Sequence, residues 1–217
     1  MKNKQIIGIV GATGNMGTAL SKSLSKAGYP LMLYSQDQKK IQSLQDELKT
    51  GSEKATTRNS VEYLARDADI IILAVPHEAE AEIAGQMKNI VEGKIVISIT
   101  NPLNETYDGL VTGPDTSAAE ELQALLPNAK VVKSFNTVFA ADYAQPDIDG
   151  KKVDAFVAGD DDDAVNEIAE IVKAMGLNPL IAGKLSTSRT LEHMQLLLIQ
   201  LNMKNNYNWR AGWKILH

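Results

Sequence analysis

A chain of 217 residues, 44% hydrophobic and 23% charged, has the composition of a soluble globular protein with one sizeable core, which excludes a disordered or fibrous chain. Its 27 acidic against 22 basic residues give a net charge of -5, which disfavours nucleic acid as a partner. With no cysteine, disulfides, thiolate metal sites and cysteine nucleophiles are excluded, and no metal-ligand spacing is visible. The basic start Met1-Lys2-Asn3-Lys4 precedes an apolar run too short for a signal-peptide core, and no stretch reaches the ~20 apolar residues of a membrane span, so a cytoplasmic protein with no membrane partner is expected.

Taken in chain order, the β-branched run 6–10 stops at Gly11 and a helical pattern covers 16–27 directly after the glycines: strand, tight turn, helix. A strand over 31–34 and a helix over 38–48, with Ile41, Leu44 and Leu48 at helical spacing, extend this to βαβα. Near-continuous apolar strands at 70–75 and 94–99 are each followed by a helix, 78–91 and 117–126, the pattern of a parallel sheet covered on both faces. Further strands are expected at 131–135, 155–158 and 180–182, and further helices at 162–175, ending at Gly176, and 190–207. The fold class is therefore α/β: a Rossmann-type, doubly wound, mostly parallel sheet with a helical C-terminal extension. No linker interrupts it, so residues 1–217 are expected to form one domain, with 1–150 as the nucleotide-binding core and 151–217 as sheet extension and C-terminal helix.

Gly11-Ala12-Thr13-Gly14-Asn15-Met16-Gly17 lies where backbone N–H groups and a helix N-terminus converge on an anion, as a dinucleotide pyrophosphate requires. The spacing is G-x-x-G-x-x-G, with the small Ala12 permitting the tight turn. At the end of the second strand an acidic residue would bond a ribose hydroxyl and repel a 2′-phosphate; this chain has Ser35, then Gln36. Ser35 and Thr13 offer hydroxyls and Lys39 or Lys40 charge, which favours NADP, although Asp37 stands close by and the lysines also suit an exposed helix face.

Ligands of open α/β sheets lie beyond the carboxyl ends of the strands, which points to Ala74-Val75-Pro76-His77, to Thr100-Asn101-Pro102-Leu103 and to Asn136-Thr137-Val138-Phe139. Pro76 and Pro102 stiffen their loops. His77 reads either as a neighbour of the cofactor or as a helix-start residue beside solvent, and Asn136 and Thr137 as hydrogen-bonding partners of a carboxamide or flavin-like ring edge, or of backbone alone. Hydride transfer between two organic molecules needs alignment and exclusion of water rather than a triad or a metal, and the residues read as such a clamp.

These motifs, with Ser117-Ala118-Ala119-Glu120, Lys133-Ser134-Phe135-Asn136-Thr137, Gly159-Asp160-Asp161-Asp162 and Gly183-Lys184-Leu185, resemble over nearly the whole chain the NADPH-dependent deazaflavin reductases (8-hydroxy-5-deazaflavin:NADP oxidoreductases) and the cytoplasmic domain of the six-transmembrane metalloreductases. The resemblance implies an oxidoreductase moving hydride between NADPH and a small-molecule acceptor. Thr13 and Ser35 would sit near the 2′-phosphate, Pro76 and His77 at the nicotinamide, Asn136 and Thr137 at the second ring. It also implies a homodimer, for which the apolar spacing of Leu191, Met194, Leu197, Leu198 and Leu201 supplies a surface. Where the archaeal members carry an arginine after the serine this chain has Gln36, and where they carry a histidine facing the deazaflavin it has Asn136. FMN or FAD as second substrate, a ferric or flavin reductase without deazaflavin, and a non-catalytic NADP sensor are the alternatives. A hydroxyacid dehydrogenase or imine reductase is disfavoured, because about 80 residues after Asn136 are too few for their long helical domain. The acidic run 160–163 is expected to cap a helix rather than bind metal, and Trp209 and Trp213 read either as stacking on a ring or as entering a dimer contact, the contact being favoured.

Overall fold

The computed structural model describes residues 4–49 and 55–216; Met1, Lys2 and Asn3 of the basic start lie outside them. Strand β1 (Ile7–Val10) leads through the glycine loop into α1 (Asn15–Lys26), and β2 (Leu31–Tyr34) into α2 (Gln38–Lys49). A short strand β3 (Ala55–Thr57) and helix α3 (Val61–Asp67) follow, then β4 (Ile70–Leu73), α4 (His77–Met87), β5 (Ile95–Ser98), α5 (Ala118–Leu125) and β6 (Lys130–Ser134). The chain then turns through α6 (Ala140–Ala144) and the hairpin β7 (Asp147–Ile148) and β8 (Lys151–Lys152) into β9 (Asp154–Gly159), α7 (Asp162–Ala174), β10 (Asn178–Gly183) and α8 (Ser188–Asn205).

The main sheet has the order β10-β9-β6-β5-β4-β1-β2-β3. Its pairs are parallel except β6 with β9, so β9 and β10 run against the rest. Strands β1, β4 and β5 are buried along their whole length because helices cover both faces, which is why their sequences are apolar throughout, save Gly8 and Ser98, rather than alternating. One core joins Ile7, Ile9 and Ile72 to Leu20 and Leu24 of α1, Ile41 of α2 and Ile168 and Val172 of α7. The other joins Val10, Ile71 and Val96 to Leu64 of α3, Ile83 of α4 and Leu122 of α5.

β1 is hydrogen-bonded to β2 on one side and β4 on the other, so successive crossovers leave in opposite directions and a crevice opens above its carboxyl end. The helix starts are set by capping. Ser117 accepts from the Glu120 N–H at 3.2 Å and donates to Oε2 of Glu120 at 2.7 Å, a reciprocal cap for α5. Asp161 accepts from the Ala164 N–H at 2.9 Å and pairs with Lys130, while Asp160 accepts from the Leu185 N–H at 3.1 Å, so these members of the acidic run serve caps and turns.

Two expectations are corrected. The apolar residues of α8 do not form one outward stripe: Leu191 and Leu198 are buried against Phe156 and Phe139, whereas Leu197 and Leu201 face outwards. Trp213 packs within its own chain against both of those clusters, and Trp209 meets Phe139 edge to face at 5.3 Å. The tail folds back over β9 and packs Trp213 within the chain, while Trp209 remains 51% exposed.

Candidate functional site

Gly11 adopts φ +82°, and a Cβ there would lie 2.2 Å from the Ala74 carbonyl; a Cβ on Gly17 would lie 2.2 Å from the Gly11 carbonyl. The first and third glycines are thus required by the close approach of loop, β4 end and α1. Helix α1 starts after Gly14 with no side-chain cap and no acidic residue in its first turn, so its leading N–H groups remain available to an anion. A cleft of about 360 Å³ opens above this loop between Tyr34, Ser35 and Gln36 at the end of β2 and Ala74, Val75 and Pro76 at the end of β4, with Ala79, Glu82 and Ile83 of α4 along its flank.

At the end of β2 the Thr13 and Ser35 hydroxyls lie 2.5 Å apart. Asp37 is turned away to cap α2: its Oδ1 accepts from the Lys39 and Lys40 N–H groups at 3.1 and 3.0 Å, and its Oδ2 lies 3.5 Å from the Lys40 ammonium. Those backbone bonds, then the lysine charge, hold its carboxyl below the usual range. Lys39, Lys40 and Ser43 of α2 line a second hollow of about 330 Å³ that shares Thr13 with the cleft, together with Glu47, whose carboxylate pairs with Lys22 at 2.7 Å. A carboxylate occupied in capping, two hydroxyls and two ammonium groups suit a terminal phosphate ester better than a bare ribose diol. The cradle a Cβ would fill and this donor set fit a phosphorylated dinucleotide.

The mouth of β5 and β6 is organised differently from expectation. Asn101 donates to the Asn136 carbonyl and Asn136 donates to Oδ1 of Asn101, each at 2.9 Å, and Asn136 also donates to the Leu191 carbonyl at 3.2 Å. Asn136 and Thr137 are buried, with Oδ1 of Asn136 and Oγ1 of Thr137 unpaired, and Pro102 is buried beside them. They form the layer beneath the mouth rather than a surface for a ring. His77 does not line the cleft; its ring sits between Glu80 and Glu121, 3.4 Å from each. Phe135 is fully buried at φ +65°, a conformation costing about 1–3 kcal/mol in a non-glycine residue, and it redirects the chain at the end of β6.

Beneath the mouth runs a buried ionic chain that the sequence reading passed over. Lys133 of β6 is wholly buried; its ammonium donates to the Thr100 carbonyl and to Oε1 of Glu192 at 2.7 Å, and Oε2 of Glu192 accepts from the Ala118 N–H at 3.2 Å. Thr100 donates to Oε1 of the buried Glu80 at 2.6 Å. Burial pushes the Lys133 ammonium down, opposed by Glu192, and pushes the Glu80 carboxyl up, opposed by the Thr100 hydrogen bond. Arg189 of α8 grips both oxygens of Glu120 at 2.9 and 2.7 Å, which holds that carboxyl low. A lysine inside Val131-Val132-Lys133 was the one sequence signal for this network: a charge in an otherwise apolar strand demands a partner.

Fold and cleft together define the class: a Rossmann-type dinucleotide-binding protein. The family model described as "NADP oxidoreductase coenzyme F420-dependent" matches residues 6–102. The F420-dependent NADP reductase of Methanothermobacter marburgensis is 30% identical over 226 residues, covering 96% of this chain and 97% of that protein. The metalloreductase STEAP3 of Rattus norvegicus is 27% identical over 195 residues, covering 89% of this chain and 37% of that protein. Among solved structures, that of a putative F420-dependent NADP reductase from Arthrobacter sp. FB24 superposes with a TM-score of 0.86 at 22% identity, over 98% of this chain and 99% of that one, a likeness of fold. The chain belongs to the family of coenzyme F420-dependent NADP oxidoreductases.

Proposed function

We propose that the chain moves hydride between NADPH and coenzyme F420, the deazaflavin, and that the cleft above Gly11–Gly17 holds the NADP. The observation that carries the assignment of the cleft is the end of β2, where Thr13 and Ser35 pair their hydroxyls and Asp37 is spent on α2. In this reading the leading N–H groups of α1 take the pyrophosphate, Thr13 and Ser35 with Lys39 and Lys40 take the 2′-phosphate, and Gln36 flanks the adenine side. Ala74, Val75 and Pro76 carry the nicotinamide half along the end of β4. Asn101, Pro102, Asn136 and Thr137 support it from below through the paired amides. The bound nicotinamide supplies the chemistry, a hydride passing between its ring and that of the deazaflavin while a proton is exchanged with water. The protein's share is to align the two rings and keep bulk water from between them.

The reading carries a cytoplasmic location; among the described residues no helix is long and apolar enough to cross a membrane. Residues 1–150 then act as the nucleotide-binding core and 151–217 as its extension, one domain in all. A homodimer through the outward face of α8 belongs to the same reading, supported by Leu197 and Leu201, exposed one turn apart. Sedimentation should give twice the chain mass for the wild type and the chain mass for Leu197→Glu; a wild-type monomer at micromolar concentration contradicts it.

The test of the reaction is anaerobic absorbance at the nicotinamide band. NADPH should be stable with the protein alone and be oxidised when F420 is added. Turnover with FMN or FAD but not F420 would make the protein a flavin reductase, and binding without turnover a sensor.

A further inference from the structure

One pair of buried charges lies outside the dinucleotide cleft, beneath the mouth of β5 and β6. Lys133 stands on β6 opposite Ser98 of β5, and its side chain has no exposure to solvent; Glu192 of α8, which meets it at 2.7 Å, is equally enclosed. Apolar residues of the same volume often replace a buried ion pair at no loss, because desolvation offsets the attraction, so stability alone does not account for charges here. The groups that the pair holds supply a reason.

The Lys133 ammonium donates to the carbonyl of Thr100, the residue before Asn101. Asn101 donates to the Asn136 carbonyl and Asn136 donates back to Oδ1 of Asn101, each at 2.9 Å, so the turns that leave β5 and β6 are tied to each other and to the ammonium. The Thr100 hydroxyl donates to the buried Glu80 at 2.6 Å, which fixes the same residue from the α4 side. Helix α8 closes the arrangement with two successive residues. The Leu191 carbonyl accepts from Asn136 at 3.2 Å, and Glu192 divides its oxygens between Lys133 and the Ala118 N–H. A hydrogen bond from a charged donor is roughly twice as strong as a neutral one, and with the Glu80 bond it holds Thr100 at both its carbonyl and its side chain.

We propose that Lys133 and Glu192 are positioning residues for the hydride transfer: their ion pair fixes the Thr100 carbonyl, and through it the paired amides of Asn101 and Asn136, so that the nicotinamide supported by those amides is held in line with its acceptor. The assignment rests on the hydride-transfer reading and adds a role for two residues outside the cleft. Transfer between two rings depends steeply on their approach, and a floor displaced by about 1 Å can cost on the order of 100-fold in rate. NADPH affinity, carried in that reading by phosphate contacts at the glycine loop and the end of β2, is untouched.

The double variant Lys133→Met/Glu192→Leu separates positioning from folding, because it removes both charges together and retains most of the stability that either single change loses. In stopped-flow single turnovers of the full chain with saturating NADPH and F420, it should transfer hydride about 10- to 100-fold more slowly than the wild type, with urea unfolding and the Kd for NADPH close to those of the wild type. Glu192→Gln, which keeps the volume and an acceptor for the ammonium but not the charge, should show a smaller slowing. The side-chain amide protons of Asn101 and Asn136, followed by NMR without F420, should exchange with water faster in the double variant, a readout independent of turnover. A wild-type rate in whichever of these variants folds, or amides as protected as in the wild type, would overturn the positioning role while leaving the hydride-transfer reading intact. NADPH binding weakened in proportion to the rate would overturn it as well. A wild type that never turns over F420 would overturn both.

Discussion

In the proposed NADP site, Ser35 is the side chain with most influence on the choice of dinucleotide. Its hydroxyl lies 2.5 Å from that of Thr13 and accepts from the Asp37 N–H at 3.2 Å, so a carboxylate placed there would occupy the centre of the hydroxyl pair. Ser35→Asp should raise the Kd for NADPH by at least about tenfold, since one lost or repelled charge contact costs on the order of 1.4 kcal/mol or more, and should leave that for NADH unchanged or lower. Calorimetric titration of both nucleotides checks it; an unchanged ratio would remove Ser35 from the phosphate site. The residue identities here were legible in sequence because the glycine spacing and the end of β2 are fixed by the dinucleotide itself. The orientation of Asp37 was not, because a carboxylate immediately before a helix start serves its N–H groups as readily as a ribose. The same holds for His77, whose position at a strand end suggested the nicotinamide. Its ring lies 3.4 Å from Glu80, one helical turn along α4, and equally far from Glu121.

Among the elements, β6 and α8 are joined by the least expected contact, Lys133 with Glu192, both wholly buried. Removing one partner leaves the other as an unpaired buried charge. Lys133→Met or Glu192→Leu alone should therefore lose about 3–5 kcal/mol in urea unfolding, whereas the double variant should recover most of it. Equal losses for the single and double variants would show that the pair is not what couples α8 to the sheet. Helices and strands with a long apolar period, α1, α2, α7, β4 and β5, were readable from pattern alone. The three-residue β3 and seven-residue α3 were not, being too short to show a period, although Ser60 caps α3 by accepting from the Tyr63 N–H. The hairpin β7–β8 carried a signal that went unread: Asp149-Gly150, with φ of +51° and +75°, is the dipeptide favoured in tight strand reversals.

Across the whole molecule the C-terminal tail closes the fold against α6 and β9. Lys214 and the Ile215 N–H meet Asp154 at 2.8 and 2.6 Å, and Arg210 lies 3.2 Å from Oδ1 of Asp142 while its N–H groups serve neighbouring carbonyls. Burial, opposed by Arg210, pushes the Asp142 carboxyl up to about 6. A raised carboxyl means that the folded state holds the proton more tightly than the unfolded one. This contribution is full below about pH 4 and is lost as pH rises to about 6, a change on the order of 2–3 kcal/mol. Subtracting the pH profile of Asp142→Asn from that of the wild type should isolate this fall, since Glu120 and Asp154, held low by their partners, contribute the opposite slope in both proteins. Parallel profiles would mean that Asp142 titrates normally. The doubly wound topology was foreseeable from the alternation of strands and helices. The reversal of β9 and β10 was not, because an apolar run carries no record of its direction and the intervening α6 and hairpin decide it.

Direct hydride transfer between the two coenzymes is best tested by isotope tracing. With NADPH carrying deuterium on the transferable face of its nicotinamide, the protein should deliver the label to the ring carbon of F420 in a single turnover, with none appearing in water. Label released to solvent, or F420 left unreduced while NADPH stays bound, would contradict the account.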